Sequence, residues 1–149
     1  MDTISGFHSE YAWLSNFWPA RIEIQDWVMP SAEHCYQAAK SLDARDWREI
    51  QQMTAGQAKK YGRRVICRPD WHEVKLPIMT EIVTLKFEQH PHLMAKLLAT
   101  GDIKLIEENY WNDTFWGVCN NKGYNHLGRI LMRVRAQFQS LNNEERKVG

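Results

Sequence analysis

The stretch "MPSAEHCYQAAKSLD", residues 29–43, decides how the first half of this chain is organised. Ser31 follows a proline and is a preferred N-cap residue, so it predicts a helix that begins directly after it. Glu33, Gln37 and Lys40 recur at spacings of four and three, and they therefore share one face of that helix. The opposite face carries few large aliphatic side chains, which is typical of a helix that is buried on more than one side.

The residues Glu33, Gln37 and Lys40, called here the polar stripe, have two interpretations. They form a solvated helix surface with a weak charge pair, or they form the floor of a site. In the second case the lysine is desolvated, so it loses its charge more readily and becomes a nucleophile. The residues alone leave both interpretations open.

The composition is ordinary for a soluble globular protein. Of 149 residues, 44% are hydrophobic and 25% are charged, and the formal net charge is +1. We expect one domain over residues 1–141 and a flexible C-terminal tail over residues 142–149. No apolar run approaches the roughly 20 residues that a membrane helix needs. Three separated cysteines and a first segment without signal-peptide features favour a cytoplasmic location.

The sequence lacks the common metal and nucleotide motifs. The cysteines form no CxxC pair, and neither HExxH nor the GxxxxGK[ST] spacing occurs. We therefore expect no metal and no organic cofactor. The nearly neutral charge gives no overall attraction to nucleic acid, although a local basic groove stays compatible with it.

The hydrophobic periodicity predicts a mainly α fold with a small β element. Two alternating segments around Gln25 and Asp26 predict a strand pair, and "IKLIEEN" at 103–109 predicts a short strand. Helices are predicted at about 32–42, 44–53 and 54–62, from a capping box at Asp70–Glu73 onward, from Pro91 to Gly101, and from Asn125 to about Leu141. Pro77 should bend the fourth helix or mark its first turn. The core stripe of that helix is predicted at Val74, Ile78, Ile82 and Leu85.

A second group of candidate residues lies in "EENYWNDTFWG", residues 107–117. It interleaves three carboxylates with three large rings: Glu107, Glu108, Asp113, Trp111, Phe115 and Trp116. Carboxylates packed against indole rings lose hydration, which raises their pKa and suits general acid catalysis. Indole rings also stack on flat heterocycles. The alternative is an acidic turn beside core aromatic residues.

A third group lies in "GVCNNKGYNHLGR", residues 117–129. Gly117 and the other glycines of this segment allow close backbone approach. Asn125 is expected to begin a helix, and the bases Lys122 and Arg129 flank that helix start. A helix N-terminus with bases nearby binds phosphate well. A glycine-rich turn followed by a capped helix is the alternative.

Several blocks of the sequence occur in the order and spacing of one known family. They are FHSEYAWLSNFWPARI (7–22), PSAEHCYQAAKSLD (30–43), AGQAKKYGRR (55–64), RPDWHEVKLPIM (68–79), KFEQHPHLMAKLLATGD (86–102), LIEENYWNDTFWG (105–117) and KGYNHLGRILM (122–132). Together they cover nearly the whole chain, which resembles the YbiA-like or NADAR family of small N-glycosidases. The chain departs from the pattern at Val118 and Cys119, where some relatives carry more glycine and aspartate, and this bears on substrate choice.

The resemblance implies a mainly helical single domain that hydrolyses the C–N bond between ribose and a base or amine. Family activities include cleaving ribosylamino-pyrimidine intermediates of riboflavin synthesis and removing ADP-ribose from guanine bases. We expect ADP-ribosylated guanine as the substrate, either as a small molecule or within nucleic acid. The alternatives are the riboflavin intermediates and a non-catalytic module that binds ADP-ribose.

By motif position, Glu33 and Lys40 match the family helix, Trp71 matches its "DW" position, and Asp113 and Trp116 match its "ND…WG" loop. Our hypothesis is that Lys40 forms a Schiff base with C1′ of the ribose, helped by the carboxylates of Glu33 and Asp113. Contacts to the substrate are expected from Gln37, Trp71, Trp111, Trp116, Gly117, Lys122, Asn125 and Arg129.

Overall fold

The computed structural model describes residues 2–148. The chain forms two compact units. The central unit is Ser15–His90, and the terminal unit joins the described residues before Ser15 to those after His90. Among these residues, helices dominate and each unit has one two-stranded sheet. The predicted mainly α fold with a small β element is confirmed.

The helices and strands follow one another in an order close to the predicted one. In chain order they are β1 (Thr3–Ser5), a 3-10 helix (Ser9–Leu14), β2 (Pro19–Ile24), β3 (Trp27–Ser31), α1 (Ala32–Ala39), α2 (Ala44–Gln51), α3 (Ala55–Tyr61), α4 (Trp71–Glu88), α5 (Pro91–Ala99), β4 (Lys104–Ile106) and α6 (His126–Val148).

The central unit begins with the hairpin of β2 and β3. Alternate residues of β2 point inward, so Ile22 and Ile24 are buried, and Ile22 pairs with Met29 across the hairpin. Gln25 forms the turn with a positive φ of 54°. The strand pair predicted at this position is confirmed.

Two polar side chains fix the start of α1. Ser31 has extended backbone angles, and its Oγ accepts a hydrogen bond from the backbone N–H of His34 at 3.3 Å. The His34 Nε2 lies 2.7 Å from the carbonyl oxygen of Met53, so Nε2 donates. The other ring nitrogen, Nδ1, therefore accepts from the Ser31 hydroxyl at 2.6 Å. The predicted cap at Ser31 is confirmed.

The next two helices also begin at their predicted caps. The Asp43 carboxylate accepts from the backbone N–H of Arg45 at 2.9 Å and starts α2. Thr54 and Gln57 form a reciprocal capping box at the start of α3, with bonds of 3.2 and 3.0 Å. These local signals therefore position two of the helices that pack against α1.

The capping box predicted at Asp70 is wrong. The Asp70 side chain makes no capping hydrogen bond, because its two carboxylate oxygens bind Nε and Nη2 of Arg68 at 2.6 and 3.1 Å. The helix α4 nevertheless begins at the next residue, Trp71. Pro77 lies inside this helix and does not mark its first turn.

The buried face of α4 is also displaced from the predicted stripe. Ile82 is buried as expected, but the other three residues of that stripe are only half-buried. The buried face instead includes Met79, Val83 and Lys86. The Lys86 side chain is 1% exposed, and its Nζ donates to the carbonyl oxygen of Ser15 at 3.0 Å. Burial lowers the pKa of Lys86 to about 7.

In the terminal unit, α6 packs on the short parallel sheet of β1 and β4. The buried residue Ile4 lies beside Leu105 in this sheet. A β-carbon at Gly128 would lie 2.2 Å from the carbonyl oxygen of Leu105, so the close approach of α6 to β4 needs a glycine there. The strand predicted within 103–109 is confirmed as β4.

The end of the last helix differs from the prediction. The predicted end near Leu141 is wrong, because α6 continues to Val148. The domain over 1–141 and the flexibility of 142–149 stay predictions, and their end residues, Met1 and Gly149, lie outside the described residues. Within 2–148, none of the helices combines the length and the apolar character needed to span a membrane.

The buried amine of Lys86 should make stability depend on pH. Its pKa is about 7 in the folded chain against 10.5 for an ordinary lysine, so the unfolded chain binds more protons between these values. The free energy of unfolding therefore rises with pH across this window, by up to about 1.4 kcal/mol per pH unit. Lys86→Met should remove this slope in denaturant titrations, whereas the exposed-lysine control Lys60→Met should keep it. Parallel curves for the wild type and Lys86→Met would contradict the prediction.

Candidate active site

Every side chain of α1 is buried. Glu33 is 7% exposed and Gln37 is 4% exposed, although both are polar. The interpretation of the polar stripe as a solvated surface is therefore wrong for these two residues. Buried acids and amides need partners, because an unpaired polar group away from water is costly.

Glu33 and Gln37 are partners of each other. The Gln37 amide nitrogen donates to Oε1 of Glu33 at 2.7 Å, across one helical turn. The backbone N–H of Glu33 donates to the carbonyl oxygen of Asn16 at 2.9 Å. Within the described part of the chain, Oε1 of Gln37 has no hydrogen-bond partner. The Gln37 side chain is therefore held through its nitrogen, by the Glu33 carboxylate, and not through its oxygen.

The unpartnered oxygen of Gln37 lies directly against Gly62, which follows the last residue of α3. A β-carbon at Gly62 would lie only 1.8 Å from this oxygen. The φ of Gly62 is −60°, so the glycine is needed for space and not for its backbone conformation. No local pattern indicates this contact, since it joins α1 to the residue that follows α3.

Lys40 caps the C-terminal end of α1 and is half-buried. Its Nζ lies 5.4 Å from the centre of the Tyr36 ring. The Trp71 ring packs on the Tyr36 ring in a tilted arrangement, at 5.3 Å between ring centres and 52° between planes. Trp71 is 7% exposed. The structure therefore brings Trp71 to the polar stripe through Tyr36, and its predicted contact with a ligand stays a prediction.

The surroundings of Lys40 weaken the hold of its amine on the proton. Desolvation by burial lowers the pKa of Lys40 below its ordinary value of 10.5 and has the largest effect. Cys67 and Glu33 oppose this lowering of the pKa, whereas the positive charges of Arg63 and Lys75 add to it. A larger neutral fraction makes the amine a better nucleophile.

Asp113, in the terminal unit, organises the loop in which it lies. Its Oδ1 accepts from the backbone N–H groups of Phe115 and Trp116 at 3.1 and 2.9 Å. The Asn109 side chain in turn bonds both backbone polar groups of Asp113, at 3.0 and 2.9 Å. Asp113 is half-buried, and the hydrogen bonds from Phe115 and Trp116 both end on its Oδ1.

The other aromatic and glycine candidates lie in the same loop. Trp116 is half-buried and packs edge-on against Phe115, at 4.8 Å and 88°. Trp111 is 49% exposed. A β-carbon at Gly117 would lie 2.1 Å from the carbonyl oxygen of Glu107, so a glycine is needed for the loop to close.

Asn125 connects the loop to strand β4. Its side chain donates to the carbonyl oxygen of Leu105 at 3.0 Å and accepts from the backbone N–H of Glu107 at 3.0 Å. The last helix begins at the next residue, as predicted. Lys122 and Arg129 are exposed. The predicted phosphate binding by these three residues stays a prediction.

The structure thus gathers Glu33, Gln37, Lys40 and Trp71 in the central unit. The other predicted site residues belong to the terminal unit. Sequence reasoning missed two groups that the segment after α3 adds to the polar stripe. They are Gly62, against the Gln37 amide, and Cys67, which acts on the charge of Lys40.

With this arrangement established, the chain can be compared with known proteins. The model of the NADAR domain matches residues 5–139, which is most of the chain and runs across both units. The chain belongs to the NADAR family. The family resemblance of the sequence motifs is confirmed.

Relatives of this NADAR protein carry two kinds of name. This chain is 40% identical to the N-glycosidase YbiA of Shigella boydii in an alignment of 146 residues, which covers 92% of this chain and 89% of that protein. It is 39% identical over 133 residues to a riboflavin biosynthesis protein of Vibrio vulnificus, where the match covers 87% of this chain and 36% of that protein.

The fold can be compared with a solved NADAR relative. The NMR structure of Escherichia coli YbiA matches with a TM-score of 0.86 and 36% identity. The match covers 97% of this chain and 89% of that chain. The predicted YbiA-like fold is therefore confirmed.

Gly62→Ala should disrupt the polar stripe. The new methyl group collides with the Gln37 amide, so the amide must leave Glu33 or α3 must move. We expect a loss of about 1–3 kcal/mol in the free energy of unfolding, measured by urea denaturation. The matched control is Gly56→Ala within α3, where a β-carbon meets nothing within 4 Å. This control should gain about 0.5–1 kcal/mol, and equal losses in both variants would contradict the prediction.

Proposed function

We propose that this NADAR protein is an N-glycosidase that hydrolyses the C–N bond between ribose C1′ and a base or amine. The observation that carries the proposal is the buried polar stripe, in which a bonded acid and amide share a helix face with a lysine of lowered pKa. The name of the Shigella boydii relative, an N-glycosidase, supports the reaction class.

Cleavage of an N-glycosidic bond has two chemical requirements. The leaving nitrogen must be protonated, and the positive charge that grows at C1′ must be stabilised. A ribose attached to an exocyclic amine offers a route that meets both, because its ring can open to a protonated imine. C1′ is then an electrophile that a neutral amine can attack.

Lys40 is the amine proposed to attack. Its Nζ adds to C1′, a proton passes to the substrate nitrogen, and the substrate amine leaves with the electrons of the broken C–N bond. Lys40 is then joined to C1′ as a protonated imine. Water adds to C1′, the bond to Nζ breaks, and the sugar is released with the amine of Lys40 restored. One water molecule is consumed, and nothing is oxidised or reduced.

Glu33 is proposed to stabilise positive charge during these steps. It precedes Lys40 by two helical turns on the same face, and long helical side chains lean toward the N-terminus. Its carboxylate opposes the lowering of the Lys40 pKa by burial, and the same field stabilises an imine cation on that nitrogen. The role of Asp113 as an acid, and of Trp71 and Trp116 as a clamp, rests on the family resemblance.

ADP-ribosylated guanine is the proposed substrate, since the family resemblance includes this activity and an exocyclic ribosylamine suits the imine route. The second candidate is a ribosylamino-pyrimidine, because the Vibrio vulnificus relative is named a riboflavin biosynthesis protein. A non-catalytic module that binds ADP-ribose is the third. A lysine of lowered pKa near a buried carboxylate favours catalysis over binding alone.

Release of free ADP-ribose from ADP-ribosylated guanosine should require the amine of Lys40. Lys40→Ala and Lys40→Arg should each lower turnover about 10³-fold or more, because neither side chain forms an imine under ordinary conditions. Lys60→Arg, at an exposed position of α3, is the matched control and should turn over normally. Normal turnover by Lys40→Arg would rule out the Schiff base and leave acid catalysis by the carboxylates.

The same assay separates the three candidate functions. Release only from a ribosylamino-pyrimidine would identify the second substrate class. Binding of ADP-ribose by the folded wild type, without release from either substrate, would contradict the enzyme proposal and support the binding module.

A further inference from the structure

The segment that follows Lys40 is not helical. Helix α1 ends at Ala39, α2 begins at Ala44, and residues 41–43 between them adopt neither helical nor strand structure. The end of a helix frays unless other groups hold it, because its last carbonyl groups have no partner within the helix. Lys40 therefore lies where the backbone moves freely unless side chains from elsewhere fix it.

Ser41, directly after Lys40, is 4% exposed and has all of its polar groups bonded. Its backbone N–H donates to the carbonyl oxygen of Ala38 at 3.0 Å, and its carbonyl oxygen accepts from Nε1 of Trp47 at 3.1 Å. Its hydroxyl donates to Oδ2 of Asp46, in the first turn of α2. The end of α1 is thus fastened to α2 by side chains.

The Asp46 carboxylate extends this connection to α3. Its second oxygen, Oδ1, accepts from the hydroxyl of Tyr61, the last residue of α3, at 2.7 Å. This bond raises the pKa of the Tyr61 hydroxyl, so Tyr61 stays a donor. The two hydrogen bonds to the carboxylate, from Ser41 and from Tyr61, are called here the Asp46 bridge. The residue after Tyr61 is Gly62, so the bridge connects the end of the polar stripe to the backbone that lies against its middle.

Lys40 lies between the Asp46 bridge and a second backbone contact. Its carbonyl oxygen accepts from the backbone N–H of Arg68 at 2.7 Å, and its own N–H donates to the carbonyl oxygen of Gln37 at 3.3 Å. Attack on a carbon atom needs the reacting atoms about 3–3.5 Å apart, and a misplacement of about 1 Å costs about 10²-fold in rate. A long lysine side chain reaches this geometry repeatedly only from a fixed backbone.

We propose that Asp46 is a positioning residue, whose bridge holds the end of α1 so that Lys40 attacks C1′ from a fixed place. The proposal rests on the proposed function, because it takes Lys40 as the attacking amine. The role of Asp46 is indirect, since its two oxygens are occupied by Ser41 and Tyr61. Loss of the bridge should therefore slow the chemical step and leave substrate binding almost unchanged.

Steady-state kinetics with ADP-ribosylated guanosine tests this role. Asp46→Ala should lower kcat about 10- to 100-fold and change KM by less than about twofold, because it misplaces the amine without removing a substrate contact. Asp46→Asn should stay within about threefold of the wild type, since an amide bonds both hydroxyls when one of them accepts. Asp43→Ser is the charge-matched control. It removes a carboxylate at the start of the same helix, keeps a capping side chain, and should turn over normally.

Tyr61→Phe tests the same bridge with a smaller change. It keeps the ring and removes only the hydroxyl that donates to Asp46, so kcat should fall about three- to tenfold. In the Asp46→Ala background the same substitution should have no further effect, because both changes act through one carboxylate. Additive losses in the double variant would contradict a shared bridge.

Amide hydrogen exchange, followed by NMR on isotope-labelled protein, tests the holding of Lys40 without any turnover. The backbone N–H groups of Lys40 and Ser41 should exchange about tenfold faster or more in Asp46→Ala than in the wild type, because the end of α1 opens locally. Asp43→Ser should leave both exchange rates at the wild-type level.

Three results would overturn the proposal. They are unchanged exchange in Asp46→Ala, a normal kcat in Asp46→Ala despite faster exchange, and an equal loss of kcat in Asp46→Asn and Asp46→Ala, which would assign the effect to the charge. A wild type that releases no product from any ribosylamine would contradict the proposed function. The exchange of the Lys40 amide would then still decide whether Asp46 holds this residue, so the two failures are distinguishable.

Discussion

The complete burial of α1 is the constraint on which the rest of the central unit depends. Glu33 and Gln37 are almost wholly shielded from water, so the Gln37 amide donates to the Glu33 carboxylate, and the amide oxygen lies directly against Gly62. Leaving a buried polar atom without a partner costs about 1–3 kcal/mol. Such an atom needs an explanation, and here it belongs to a residue that shares a helix face with an acid and with a lysine of lowered pKa, as at a functional site.

The central unit contains two lysines with a lowered pKa, and their surroundings give them different roles. Lys86 is fully buried and donates to the carbonyl oxygen of Ser15, so it holds a turn in place. Lys40 is only half-buried, and it lies beside Tyr36 at the end of α1. Of the two, Lys40 combines lowered charge stability with access from solvent, which is what an attacking amine needs.

Features set by neighbouring residues were predictable from the sequence, and features set by tertiary contacts were not. Helix geometry alone placed the polar stripe on one face, and the cap at Ser31 followed from local chemistry. The cap at Asp70 is an exception among the local features, because the side chain of Arg68, two residues earlier, competes for its carboxylate. The buried face of α4 was misplaced because no hydrophobic pattern includes a lysine such as Lys86. The contact of Gly62 joins two helices and has no local signal.

Reduction of the reacting protein with sodium borohydride tests the central claim most directly. If Lys40 holds C1′ as an imine, borohydride reduces the C=N bond to a stable secondary amine, and peptide mass spectrometry finds the ribosyl adduct on Lys40. We predict this adduct in the wild type during turnover, and its absence from Lys40→Ala and from samples without borohydride. Turnover without an adduct, or an adduct on another lysine, would contradict the account.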